Sequence, residues 1–114
     1  MVTEVFIGNV KSAKFDYYEQ ENWHGYYPEV ITESGYDSEL FWDIIREDRQ
    51  RIKQVDWGCW VLKLSKKDII KFLSRKKYKE NSTAQKLIVI ANTLEENKDY
   101  LLVAFEDIIS PPWD

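Results

Sequence analysis

The chain has 114 residues, of which 44% are hydrophobic and 15% aromatic. That is enough apolar material for one packed domain and too much for a globally disordered chain. Its formal net charge of -4, from 16 basic and 20 acidic residues, argues against non-specific nucleic-acid binding through overall charge. A single cysteine excludes an internal disulfide and a zinc cluster built from cysteines.

The stretch Met1–Gly8 has neither the basic start nor the long apolar core of a secretory signal. Apolar runs such as Leu101–Phe105 fall far short of the ~20 residues needed to cross a bilayer. Position 2 is valine, so no acylation signal opens the chain. These features predict a soluble cytoplasmic protein, and one free thiol suits a reducing compartment.

Taken in order, Val2–Ile7 is rich in β-formers and predicts a strand, with Gly8-Asn9 as a turn signal. Residues 9–36 keep no sustained period but hold Phe15, Tyr17, Tyr18, Trp23, Tyr26, Tyr27 and Tyr36; a short strand is expected between Ala13 and Tyr18. Ser38 to about Val55 reads as a helix, with Phe41, Ile44, Ile45, Ile52 and Val55 at helical spacing. Ser38 is the expected N-cap, and Arg49, Arg51 and Lys53 fall in the last turns. Trp57–Leu64 reads as a strand that places Trp60, Leu62 and Leu64 on one face and Cys59, Val61 and Lys63 on the other.

Ser65-Lys66-Lys67-Asp68 resembles a capping box and opens a short helix through Leu73. A second box, Ser82–Gln85, opens a helix to about Glu96 with Ala84, Leu87, Ile88, Ala91 and Leu94 as its buried stripe; Asn97 is the stop. Tyr100–Phe105 is apolar at every position, the pattern of a strand covered on both faces. Ile108 and Ile109 are expected to add a last contact before Pro111-Pro112. The order β, irregular, α, β, α, α, β predicts a single α+β domain over residues 1–114, a small mixed or antiparallel sheet packed by about three helices.

Charge is unevenly distributed. Residues 1–48 carry 11 acids and 3 bases, whereas residues 49–80 carry 11 bases and 3 acids. Two candidate surfaces follow. The first is acidic and aromatic: Asp16, Tyr17, Tyr18, Glu19, Glu21, Trp23, Tyr26, Tyr27 and Glu29. Tyrosine and tryptophan bury large areas at low entropic cost, and surrounding acids steer a basic partner. The second is the basic segment 63–79, in which Lys67, Lys71, Arg75, Lys76, Lys77 and Lys79 form a local electrostatic footprint for nucleic acid.

Catalytic signals are weak. His24 is the sole histidine, so a metal site with two or more histidines from one chain is excluded. Cys59 lies within an apolar strand, as a buried structural thiol would. Carboxylate pairs such as Glu19 with Glu21, Asp37 with Glu39 and Glu47 with Asp48 carry no cleft-forming context. Nucleotide-loop, hydrolase-elbow and EF-hand spacings are missing. The expectation is therefore a non-enzymatic binding protein without cofactor or metal. Its concrete form is an immunity- or antitoxin-like inhibitor that occludes a basic, nuclease-type partner, with a nucleic-acid-binding module as the alternative.

Overall fold

A computed structural model describes residues 2–13, 15–18, 28, 30–31, 35–47, 51–56 and 58–107. Five strands form one antiparallel sheet in the order β4-β1-β7-β6-β5, where β1 is Val2–Asn9, β4 Gly35–Tyr36, β5 Lys53–Asp56, β6 Cys59–Ser65 and β7 Asp99–Asp107. The short strands β2 (Lys11–Ser12) and β3 (Phe15–Asp16) pair with each other. Three helices pack on the sheet: α1 (Ser38–Glu47), α2 (Lys66–Leu73) and α3 (Ser82–Ala91), with a 3-10 turn at Lys76–Tyr78. The predicted α+β class holds, and the sheet is purely antiparallel.

The two-sided pattern of the strands sets the layers. Leu62 and Leu64 of β6 join Val5, Ile7, Leu102 and Ala104 beneath the helices, with Trp60 packed at their margin. The alternate residues Cys59 and Val61 join Phe6, Phe15, Val55, Leu101 and Val103 in a second cluster on the opposite face. Successive side chains on a strand point to opposite faces, so the unbroken apolar run of β7 is the mark of its central place. It pairs with β1 from Val2↔Asp107 to Asn9↔Tyr100 and with β6 from Cys59↔Phe105 to Ser65↔Asp99.

Several boundaries differ from the sequence expectation. The helix expected to run to Val55 is described over Ser38–Glu47, and Lys53–Asp56 form strand β5. Ile52 and Val55 satisfy helical spacing, but Lys53 and Val55 also alternate correctly for a strand; pairing with β6 decides in favour of the latter. Asp37, not Ser38, caps α1: its carboxylate accepts from the Leu40 N–H at 2.8 Å and from the Asn81 side chain at 2.8 Å. Asn81, not Ser82, caps α3 through the Ala84 N–H. The two helix starts are thus tied together by their own caps. Helix α3, expected to reach about Glu96, ends at Ala91 with Asn92 as its C-cap, whose side chain donates back to the Ile88 carbonyl, while Leu94 stays buried. Ser65 caps α2 as expected, and Gly8-Asn9 continue β1 instead of turning. Asn97 has a positive φ of 62°, the left-handed conformation that asparagine tolerates best after glycine. The expected contact of Ile108 and Ile109 lies outside the described residues.

Gly35 marks where β4 meets α3. A Cβ there would sit 2.4 Å from Thr83 Cγ2. Gly35→Ala is expected to cost about 1–2 kcal/mol through overpacking, and Thr83→Ser, which removes that methyl, should recover most of the loss. Urea unfolding of the single and double variants tests this; additive losses would show that Thr83 is not the obstacle.

Candidate functional site

The acidic and basic blocks of the sequence fold against each other. Arg75 bonds Glu47, and Lys77 reaches Asp43 at 2.8 Å. Asp43 also accepts from Arg46 at 3.2 Å and from the hydroxyl of Tyr78, which is fully buried. Burial alone would raise the Asp43 pKa, but the hydrogen bonds from Lys77, Tyr78 and Arg46 outweigh it and hold the carboxyl below its ordinary range. Burial, joined by the bond to Asp43, pushes the Tyr78 hydroxyl well above the ordinary phenol value, so it remains a donor. Two of the six expected nucleic-acid contacts, Arg75 and Lys77, are therefore engaged within the chain, whereas Lys67, Lys71, Lys76 and Lys79 are exposed.

On the opposite face of the sheet, the described part of the acidic aromatic segment also meets cations of the same chain. Asp16 pairs with Lys11 at 3.7 Å and accepts from the Tyr18 N–H. Lys53 donates to the Tyr17 carbonyl and lies 4.6 Å from the centre of its ring. Lys63 donates to the Tyr18 hydroxyl at 3.2 Å and lies 4.8 Å from that ring. The Tyr18 bond holds the Lys63 ammonium above the ordinary lysine value. Tyr18 is nonetheless 63% exposed. Glu19, Glu21, Trp23, Tyr26, Tyr27 and Glu29, together with His24, lie outside the described residues.

The two candidate segments converge at the β6 end of the sheet. One cavity of about 520 Å³ is lined by Glu47, Arg51, Leu62, Leu64, Asp68, Lys71, Phe72 and Arg75. A second, of about 480 Å³, is lined by Tyr17, Arg51, Lys63, Leu64, Ser65, Asp68 and Asp99. Arg51, Leu64 and Asp68 belong to both, so the cavities form one continuous groove. Leu62, Leu64 and Phe72 line it together with the cations Arg51, Lys63, Lys71 and Arg75 and the carboxylates Glu47, Asp68 and Asp99.

The groove brings together Lys71 and Arg75 from the basic set and Tyr17 from the aromatic set; Lys67, Lys76, Lys77 and Lys79 do not line it. Arg51 was hidden from sequence reasoning because the extended helix placed it in a terminal turn. The corrected boundary brings it to the lead-in of β5, across from α2. Nothing in its local sequence signals that role, which arises from the tertiary pairing of β5 with β6.

Among the described residues, no cluster of three His, Cys, Asp or Glu side chains could hold a metal ion, and Cys59 is fully buried. No described helix is long and apolar enough to cross a membrane. No family model, curated protein or solved structure matches the chain.

Proposed function

We propose that this protein is a binding domain that docks an anionic partner on the face built from α2, the 3-10 turn and the end of β6. The observation that carries this reading is the set of exposed lysines on α2 and the turn that follows it, Lys67, Lys71, Lys76 and Lys79. Lys71 also lines the groove, beside Arg75 and Lys63, which keep Glu47 and the Tyr18 hydroxyl as their partners within the chain. The exposed lysines set up a positive field that favours encounter with an anion. Such a role needs no catalytic group. It retains the non-enzymatic, cytoplasmic reading of the sequence and moves the contact surface to the basic side.

The test uses two defined polyanions, polyglutamate and a single-stranded oligonucleotide, titrated at low and at physiological salt. At least one should bind with an affinity that falls steeply as salt rises. The double variant Lys67→Glu/Lys71→Glu, both positions exposed, should weaken that binding about tenfold or more, since two unfavourable charges replace two favourable ones. If neither polymer binds at low salt, the reading fails.

A second reading, occlusion of a basic enzyme through the acidic aromatic segment, is favoured by the exposed ring of Tyr18. There Tyr18→Ala should abolish binding to the basic partner while Lys67→Glu/Lys71→Glu leaves it intact, the reverse of the pattern above.

A further inference from the structure

We infer that the partner of the basic face is duplex DNA, held by its phosphate backbone without reading of the bases; this rests on the anionic-partner reading above. Lys67 and Lys71 stand one turn of α2 apart, about 6 Å along its axis. Lys76 and Lys79 stand one turn of the 3-10 segment apart. All four are exposed. The 3-10 turn packs against the helix, with the Phe72 and Tyr78 rings 5.9 Å apart, so the two pairs belong to one connected surface. The nearby acids of α1 do not cancel its charge, because Lys77 meets Asp43 at 2.8 Å and Arg75 meets Glu47. Within residues 66–80 the acids are Asp68 and Glu80. Asp68 lies about 100° round the helix from Lys67, on the side of the groove that it lines. More distant acids are screened over about 8 Å at physiological salt, so the negative total charge of the chain does not govern this face.

Three features favour the backbone of a DNA duplex over other polyanions. The apolar residues Ile69, Phe72 and Leu73 of α2 are buried in the core, and the outer stripe of the helix and its C-cap is Lys67, Lys71 and Ser74. Protein interfaces are anchored by aromatic and arginine side chains and depleted in lysine, and a helix that docks on a bilayer inserts an apolar face. Lysines in a row suit a ligand whose charge alone supplies the affinity, as phosphates do. Second, the rings at this end are enclosed: Phe72 is 3% and Tyr78 0% exposed, and the Arg75 guanidinium covers Phe72 at 4.3 Å. The platforms on which single strands stack their bases are thus taken, which favours the duplex, with about twice the charge per unit length. Third, Arg75 is held by Glu47, so the planar fork that most often reads guanine edges is engaged, whereas lysine meets phosphate as a point charge. RNA duplexes are held through 2′-hydroxyls across the minor groove as well as through phosphate; a face of lysines suits the phosphates of DNA.

The experiment follows fluorescence anisotropy between about 50 and 200 mM salt with two short DNA duplexes of unrelated sequence, one of their single strands, the RNA duplex of the same sequence, and polyglutamate. The two DNA duplexes should bind equally, and about fivefold or more tighter than the single strand. Their log–log salt slope should be about −3 to −4, as expected for four phosphate contacts. Lys67→Gln/Lys71→Gln and Lys76→Gln/Lys79→Gln should each reduce that slope by about 2 while leaving the urea midpoint in place. An unchanged slope in both variants would overturn this face as the binding surface, and a tenfold difference between the two duplexes would overturn binding without base reading. If the single strand, the RNA duplex or polyglutamate binds as tightly as duplex DNA or more tightly, the DNA assignment is overturned and the anionic-partner reading stands; no binding by any probe at low salt would overturn both.

Discussion

Replacing Asp43 with alanine is expected to lower stability by about 2–4 kcal/mol. The Tyr78 side chain is fully buried and donates its hydroxyl to Asp43. Deleting the carboxylate leaves that donor unpartnered, which costs about 1–3 kcal/mol, and removes the charge-assisted contacts to Lys77 and Arg46. Those two cations are well exposed, so their share is small, about 0–1 kcal/mol each. Tyr78→Phe in the Asp43→Ala background should restore part of the loss, because it removes the orphaned hydroxyl. Urea unfolding of the four proteins in a double-mutant cycle measures the coupling. A loss below about 0.5 kcal/mol for Asp43→Ala would show that water replaces the carboxylate.

The same network makes stability depend on pH with a defined sign. The Asp43 pKa is lowered in the folded state. Its contribution is therefore fully present above the unfolded carboxylate value and is lost as pH falls through the folded one, below about pH 4. The Asp43→Asn variant should flatten that part of the acid-unfolding profile.

The second large effect is expected at Gly58, on the tight connection between β5 and β6. Its φ is +69°, and a Cβ there would lie 2.7 Å from the Glu106 carbonyl oxygen. The backbones are already locked together, since the Glu106 N–H donates to the Gly58 carbonyl at 2.6 Å. Gly58→Ala combines a left-handed conformation, costing about 1–2 kcal/mol, with a clash against backbone that no rotamer change relieves. A total of about 2–4 kcal/mol is expected, seen as a lower urea midpoint. Gly58→Asn separates the two causes, because asparagine tolerates positive φ but brings the same Cβ. It should lose nearly as much as alanine; stability close to the parent would show that conformation alone sets the cost.

How much of this was legible in the residues varies by element. The alternation in β6 put Trp60, Leu62 and Leu64 on one face and Cys59 and Val61 on the other, and the two cores divide along that line. The unbroken apolar run from Tyr100 correctly implied a strand buried on both sides. The segment 49–55 misled because Ile52 and Val55 fit two periods at once, and only the partner strand chooses between them. Caps were displaced by one residue at Asp37 and Asn81, where a neighbouring serine offered an equally good hydroxyl. The candidate groove was illegible for a related reason. Its cations come from separate places in the chain, and Arg51 reaches them only once β5 exists. Charge counts, for their part, could not show that Arg75 and Lys77 are committed to Glu47 and Asp43.

The placement of β7 has a consequence for how the chain reaches its native state. The centre of the sheet is its last strand in chain order, and one neighbour is the first. Until Asp99–Asp107 insert, β1 and the β5–β6 pair share no ladder, so the sheet cannot form as one. The chain must pay most of its loop-closure entropy before the reward of that central ladder arrives. Folding should therefore be slow for a domain of this size, in the millisecond-to-second range typical of sheets dominated by distant pairings. Mutations in β7 that weaken the transition state should slow refolding, whereas loss of the Asp43–Tyr78 contact, if formed afterwards, should chiefly speed unfolding.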